Sequence, residues 1–248
     1  MKIYEIIPAR GGSKCVPDKN IRLLKGYPVI AYSIVACKLS KKIDRIIVST
    51  DSEKIAQISK KYGAEVPFLR PAEFATDISP DLGFMKHAVD WFEINEKNIP
   101  DFFIHIRPTT PLREPKIIDK AIDFLLSTNI EYTSLRSGHK CSESPFKWFI
   151  KNNYYFESLA AQLSNDDINN PRQNFQEVYI PDGYIDIVIP TFIKENNKLL
   201  GDKILAFESP KCTEIDSFED LEYLDYQLTT KKFEIFEYLK LHFHSENN

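Results

Sequence analysis

The chain has 248 residues, 43% hydrophobic and 12% aromatic, enough to bury a substantial core as one large domain or two small ones. Thirty-two Lys and Arg against 36 Asp and Glu leave a net charge of −4, which excludes a global positive field that would recruit nucleic acid or an anionic membrane, so any anion site must be local. The first 20 residues lack a signal-peptide pattern, giving a cytoplasmic location as the expectation, and Cys15, Cys37, Cys141 and Cys212 lie too far apart for a CxxC zinc or disulfide framework.

The apolar run of residues 2–7 predicts a first strand, and residues 29–39 have the length and spacing of a helix. Residues 44–49 predict a second strand, residues 52–62 a helix preceded by the capping-type Ser-Thr-Asp-Ser of residues 49–52, and residues 65–69 a short third strand. A long helix is expected over residues 81–96, a buried-type strand over 101–106, a helix over 115–127 and a strand over 132–136. Such alternation predicts an α/β fold, a three-layer, mostly parallel sheet with helices on both faces. Ligands in that architecture bind beyond the carboxyl ends of the strands.

Between about residues 138 and 181 the periodicity fades into Lys, Asn, Ser and aromatic residues, which reads as an insertion within a single domain of residues 1–248. Phe146, Trp148, Phe149, Tyr154, Tyr155 and Phe156 are too many aromatics for a solvated loop; a second subunit or a satellite core would each bury them. Residues 184–189 and 203–207 then predict two strands, residues 217–228 a helix opened by Ser217-Phe218-Glu219-Asp220, and residues 231–244 a helical tail.

Chemistry concentrates where the first strand ends, in Ile6-Ile7-Pro8-Ala9-Arg10-Gly11-Gly12-Ser13-Lys14-Cys15 and on through Lys19-Asn20. Without Cβ atoms, Gly11 and Gly12 let backbone N–H groups turn toward an anion, while Arg10, Lys14 and Lys19 supply charge, so the stretch reads as a polyphosphate cradle. Its order is not that of a Walker P-loop, which needs a longer spacer before Gly-Lys-Ser/Thr.

This stretch resembles the signature Pro-Ala-Arg-x-x-Ser-Lys-Gly-x-x-x-Lys-Asn of the CMP-sialic acid synthetases, the cytidylyltransferases that activate nonulosonic acids and Kdo, with Cys15 where that family commonly has glycine. Arg70-Pro71-Ala72-Glu73-Phe74-Ala75-Thr76-Asp77, Ile106-Arg107-Pro108-Thr109-Thr110-Pro111-Leu112-Arg113, Pro181-Asp182-Gly183-Tyr184-Ile185-Asp186-Ile187 and Thr213-Glu214-Ile215-Asp216-Ser217 match further family stretches in the same order. The resemblance implies a nucleotidyltransferase fold of GT-A or Rossmann-like type with a dimerising insertion. It also implies transfer of CMP from CTP to the C2 hydroxyl of a nonulosonic acid, releasing pyrophosphate. CMP-Kdo synthesis and a catalytically silent nucleotide-binding or sensor homologue stay open as alternatives.

By that resemblance Ala9, Arg10, Gly11, Gly12, Ser13, Lys14, Lys19 and Asn20 line the nucleotide site with Arg70, Asp81 and Arg107, and Arg10, Lys14 and Lys19 act catalytically by neutralising phosphate charge. Asp81 stands where the family often has a small hydroxyl and Arg107 where it keeps a nucleotide-contacting glutamine; a guanidinium cannot accept a hydrogen bond. Thr109, Lys147, Arg172, Gln173, Asp182 and Asp186 fall on the sugar side. Lys147 and Arg172 match the cations that hold the sugar carboxylate, while Asp182 and Asp186 replace an amide and an aromatic. Glu214 and Asp216 resemble a metal-binding Asp-x-Asp, their period-two spacing placing both carboxylates on one side for Mg²⁺; an acidic helix N-terminus accounts for Asp216-Ser217-x-Glu219 equally well. The expected partners are CTP, an acidic 2-keto sugar and a second copy of the chain, with no nucleic acid and no membrane.

Overall fold

The computed structural model describes residues 1–12 and 16–246. Strand β1 (Ile3–Pro8) leads through the tight pair β2 (Leu23–Leu24) and β3 (Tyr27–Pro28) into helix α1 (Val29–Leu39), strand β4 (Arg45–Ser49) and helix α2 (Glu53–Tyr62). Helix α3 (Asp81–Trp91), strand β5 (Phe102–His105), helix α4 (Pro115–Ser127) and strand β6 (Ser134–Lys140) continue the alternation. A hairpin of β7 (Phe149–Asn152) and β8 (Tyr155–Ser158) stands apart from the main sheet. The chain returns through β9 (Tyr179–Val188), α5 (Pro190–Asn196), β10 (Ile204–Glu208), α6 (Phe218–Thr230) and α7 (Glu234–His242).

The main sheet has the order β10-β6-β9-β5-β1-β4. Strand β9 runs antiparallel to both β5 and β6, and the remaining pairings are parallel. Strand β1 shows why helices must cover both faces: Ile3 and Ile7 enter one hydrophobic core, Tyr4 and Ile6 the other. Residues of α1, α4, α6 and α7 build the first core, and those of α3 and α5 the second. The expected three-layer α/β arrangement is therefore present. Helix α1 has no polar face, every residue from Val29 to Cys37 being buried, because α2, α4 and α7 close around it on the sheet.

Local chemistry sets the element ends. Ser52 Oγ accepts from the Ile55 N–H at 3.4 Å to open α2, and Gly63 at φ +101° closes it. Ser217 and Asp220 form a capping box at α6. Residues 65–69 make only single bridges, Glu65 to Ile47 and Leu69 to Thr50, instead of the expected strand; Pro67 between them has no N–H for a ladder. The expected helix over 81–96 changes to a π-helical turn at Phe92–Glu96. Strands β6 and β9 run further into the insertion than the sequence pattern predicts, pairing across an irregularity between Arg136 and Gly138.

Candidate active site

A cleft of about 400 Å³ opens beyond the carboxyl ends of β1 and β5, lined by residues that include Arg10, Lys19, Asn20, Arg70, Asp81, Phe84, Arg107 and Thr109. The loop after β1 supplies one end. Ala9 is buried and its N–H donates to the Ser49 carbonyl at 3.0 Å, which ties the loop to β4. Asn20 is buried and donates to the Arg10 carbonyl at 2.9 Å, fixing where the Arg10 side chain leaves the backbone. Arg10 Nη1 lies 2.5 Å from Asp77 Oδ1, and the Gly11 N–H donates to Asp51 Oδ1 at 2.8 Å. The Gly11 N–H and the Arg10 guanidinium are thus each paired with a carboxylate, which an incoming phosphate would have to displace. Gly12 takes φ +70°, a backbone region that favours glycine. Ser13, Lys14 and Cys15 lie outside the described residues.

Lys19 Nζ donates to the Ile215 carbonyl at 2.5 Å and sits 3.7 Å from Asp216 Oδ1, so the cradle reaches the acidic segment before α6. Arg70 is buried, donates to Ser49 Oγ at 3.0 Å and to the Ser49 carbonyl at 2.6 Å, and stacks over Phe84 at 4.5 Å. Burial pushes its pKa down to about 10, which still leaves it charged at neutral pH.

The rigid turn after β5 depends on Arg113. This guanidinium is fully buried and donates to the carbonyls of Tyr184 at 2.6 Å, Arg107 at 2.7 Å and Gly183 at 2.6 Å, to that of Thr110, and to Ser33 Oγ at 3.1 Å. It staples the 107–113 turn to β9 and α1, and so sets the height at which Arg107 and Thr109 enter the cleft. Burial lowers its pKa, opposed by Cys37, Cys212 and Tyr184.

Arg107 joins two carboxylates: Nη1 donates to Asp186 Oδ2 at 3.0 Å and Nη2 to Asp81 Oδ2 at 2.9 Å. Gly183 at φ +61° leaves the room for it, since a Cβ there would meet Arg107 Cδ at 3.2 Å. Beneath them His105 is buried with neither ring nitrogen hydrogen-bonded, and burial, reinforced by Arg107, pushes its pKa down to about 3. Burial raises the Asp186 pKa against the pull of Arg107 and Arg136. For Asp81 burial also acts upward, but His105, Arg107 and Arg70 outweigh it and hold the carboxyl below its ordinary value.

The expected sugar and metal residues are only partly gathered here. Thr109 donates to Glu214 Oε1 at 3.0 Å, which places Glu214 at the rim, and the Asp216 side chain is 80% exposed beside Lys19. Asp182 does not line the cleft. Its carboxylate accepts from Ser137 Oγ at 2.7 Å, the Tyr184 N–H at 3.0 Å and Ser209 Oγ, with His139 Nδ1 at 3.2 Å, so it braces β6 against β9 instead of facing a sugar. Asp186 likewise reaches the cleft only through Arg107, because its side chain is 3% exposed. Lys147 donates to the Asn170 carbonyl at 2.7 Å, and Arg172 to those of Ser142 at 2.7 Å and Cys141 at 3.0 Å. Arg172 and Gln173 line a separate cleft in the insertion.

Sequence reasoning did not single out Asp51, Asp77, Phe84 or Arg113 as site residues. Asp51, Asp77 and Arg113 stand inside the quoted or adjoining motifs, and an arginine set between Pro111 and Pro115 is the signal the sequence offers for Arg113.

Residues 5–235 match the cytidylyltransferase family. A CMP-N,N'-diacetyllegionaminic acid synthase of Legionella pneumophila is 43% identical over 129 residues, 50% of this chain and 53% of that protein, so the matched stretch spans about half the length of that relative. A pseudaminic acid cytidylyltransferase of Campylobacter jejuni is 34% identical over 200 residues, 70% of this chain and 86% of that protein. In fold, a CMP-Kdo synthetase solved with CTP superposes with a TM-score of 0.68 at 16% identity, covering 93% of this chain and 99% of the other. With a family match running from β1 into α7 and cations converging beyond β1 and β5, the chain belongs to the cytidylyltransferase family.

Proposed function

We propose that the protein transfers CMP from CTP to the anomeric C2 hydroxyl of a nonulosonic acid. The hydroxyl oxygen attacks the α-phosphorus, the bond to the β-phosphate oxygen breaks, pyrophosphate leaves, and the hydroxyl proton is released. The observation that carries this reading is the convergence of Arg10, Lys19 and Arg70 in one cleft of a cytidylyltransferase, whose relatives are named for legionaminic and pseudaminic acid substrates. Catalysis on this reading is mainly positioning and charge neutralisation: Arg10 and Lys19, with Lys14 on the same loop, hold the triphosphate and stabilise the leaving pyrophosphate.

A divalent cation suits the donor set. No group of three or more His, Cys, Asp or Glu that could hold a metal occurs among the described residues; the residues that would hold the ion are Glu214 and Asp216 at the rim, whose carboxylate oxygens suit Mg²⁺. Such an ion would withdraw charge from the phosphates. By their match to the family's sugar-binding cations, Lys147 and Arg172 would hold the sugar carboxylate, although here both donate to backbone carbonyls and Arg172 lines a separate cleft; the exposed aromatic hairpin β7–β8 supports a homodimer as the working unit. Use of CTP supports action in the cytoplasm.

Pyrophosphate release with CTP, assayed against legionaminic, pseudaminic and N-acetylneuraminic acids and Kdo, tests the reading. Release with at least one nonulosonic acid, and less with Kdo, is expected. Release with Kdo alone would reassign the acceptor, and none with any acid would make the protein a nucleotide-binding homologue without turnover.

A further inference from the structure

Three positions at which this sequence differs from the pattern it resembles, Asp81, Arg107 and Asp186, come from three separate elements and meet in one ion cluster. Asp81 is the first residue of α3, Arg107 follows β5, and Asp186 lies within β9 opposite His105. The guanidinium is bonded on both sides, at 2.9 Å to Asp81 and 3.0 Å to Asp186. Only the outer carboxylate meets solvent, the Asp81 side chain being 36% exposed and that of Asp186 3%. The other Asp186 oxygen has Arg136 Nε 3.6 Å away, so the buried carboxylate is held between two arginines.

Charge then divides the cleft. At the loop end, Arg10 and Lys19 suit an anion, and the buried Arg70 interacts electrostatically with both Arg10 and Asp81. At the far end, a phosphate or carboxylate approaching Arg107 would meet the Asp81 carboxylate beside it and find the guanidinium already neutralised. What remains there is a planar donor next to an acceptor. We propose that Asp186 is a positioning residue which, through Arg107, fixes the Asp81–Arg107 pair as a neutral donor–acceptor reader at the floor of the cleft. Its ligand is a polar, uncharged edge that carries a hydrogen-bond donor beside an acceptor. Two sources have that chemistry: the amino-and-ring-nitrogen edge of cytosine, and the hydroxyl or amide groups of the acceptor sugar. Uracil presents the reverse order, so a base-reading pair would also reject UTP.

The test rests on the cytidylyltransferase reading and separates from it. Asp186→Asn keeps an acceptor for Arg107 and removes the charge. CTP, UTP and sodium tripolyphosphate are titrated by calorimetry, and KM and kcat are measured for whichever nonulosonic acid the wild type uses. Expected is a weakening of about tenfold or more in CTP affinity or in the KM of the acid, with kcat falling less, and tripolyphosphate binding held or tightened because Arg107 is loosened toward anions. Loss in CTP with a smaller CTP-over-UTP preference assigns the base; loss confined to the acid assigns the sugar. In an Arg107→Gln background, Asp186→Asn should change the affected constant less than twofold, because it acts through Arg107. The proposal is overturned if CTP and acid constants both stay put, if tripolyphosphate binding weakens in step, or if the two substitutions multiply. Should Asp186→Asn fail to fold by circular dichroism, Asp81→Asn, at a carboxylate only partly buried, gives the same readouts. If the wild type turns over no acid, the sugar assignment has failed on its own and the CTP measurements alone decide this proposal.

Discussion

Removing a guanidinium from water without a carboxylate partner costs several kcal/mol, and Arg113 offsets that cost by donating to four backbone carbonyls and to the hydroxyl of Ser33. Lysine has three donors on a flexible stem and cannot reproduce this planar fork. Arg113→Lys should therefore lose about 3 kcal/mol of stability, roughly 10 °C in melting temperature by differential scanning fluorimetry. Arg10 behaves differently, because its partner Asp77 is a carboxylate that a phosphate can replace and its side chain is only partly buried. Arg10→Ala should leave the melting temperature within about 3 °C of wild type and weaken CTP binding about tenfold or more, read by calorimetry. A variant whose melting temperature falls well below that of the wild type while CTP affinity is unchanged would show that Arg10 is structural. The cations of the loop were legible as single residues: glycines and cations at a strand end fit a solvated basic turn as well, and the match to the Pro-Ala-Arg signature marked them as candidate ligands. The partners were not: Asp77 is 67 positions from Arg10, and nothing local connects them.

At the scale of elements, the hairpin β7–β8 is the unfinished part of the fold. Tyr155 is 75% exposed, Phe156 61% and Phe149 51%, and Phe149 packs in a tilted pair with Phe156, at 5.3 Å between ring centroids. The satellite core that could have buried these aromatics within one subunit does not take them in. An exposed apolar hairpin of this kind favours a partner surface. Light scattering at micromolar concentration should return a dimer, and Phe149→Ser with Phe156→Ser should return a monomer of unchanged circular dichroism. Wild-type protein that stays monomeric and active would refute the assembly. Helix identities were readable from periodicity and caps, as at α2 and α6. Helix α5 and the β2–β3 pair were missed, being seven and two plus two residues long, too short for either period to register.

Stability of the whole molecule should carry the mark of Glu5, which enters the first core between Ile3 and Ile7 with no exposure and with neither oxygen in a hydrogen bond of ordinary geometry. Burial raises its pKa from 4.5 to about 8, only partly opposed by the Cys37 thiol and Arg113. The folded state thus holds a proton that the unfolded chain releases. Stability from this group is complete below pH 4.5, falls as pH rises toward about 8, and is lost above that. Urea melts should show the wild type weakening between pH 5 and 9 by roughly a few kcal/mol, and Glu5→Gln should flatten that slope. A wild-type slope that survives in Glu5→Gln would place the effect elsewhere.

The layer architecture follows from sequence alone, since apolar runs of strand length alternating with helical periods leave few other ways to bury both faces of a sheet. The sequence also brought out the glycines and cations after β1 as candidate anion ligands, because such residues act through the backbone of their own loop. Tertiary structure decided the rest. Strand β9 runs antiparallel between β5 and β6, and that reversal is what carries Asp186 under Arg107 and turns Asp182 inward. Both aspartates sit in one polar-looking motif, and from sequence both read as ligand contacts. A regular strand would put residues four apart on one face; here Gly183 at φ +61° and the register irregularity between Arg136 and Gly138 break the alternation between them, and the donors that meet each carboxylate come from residues 45 and 79 positions away.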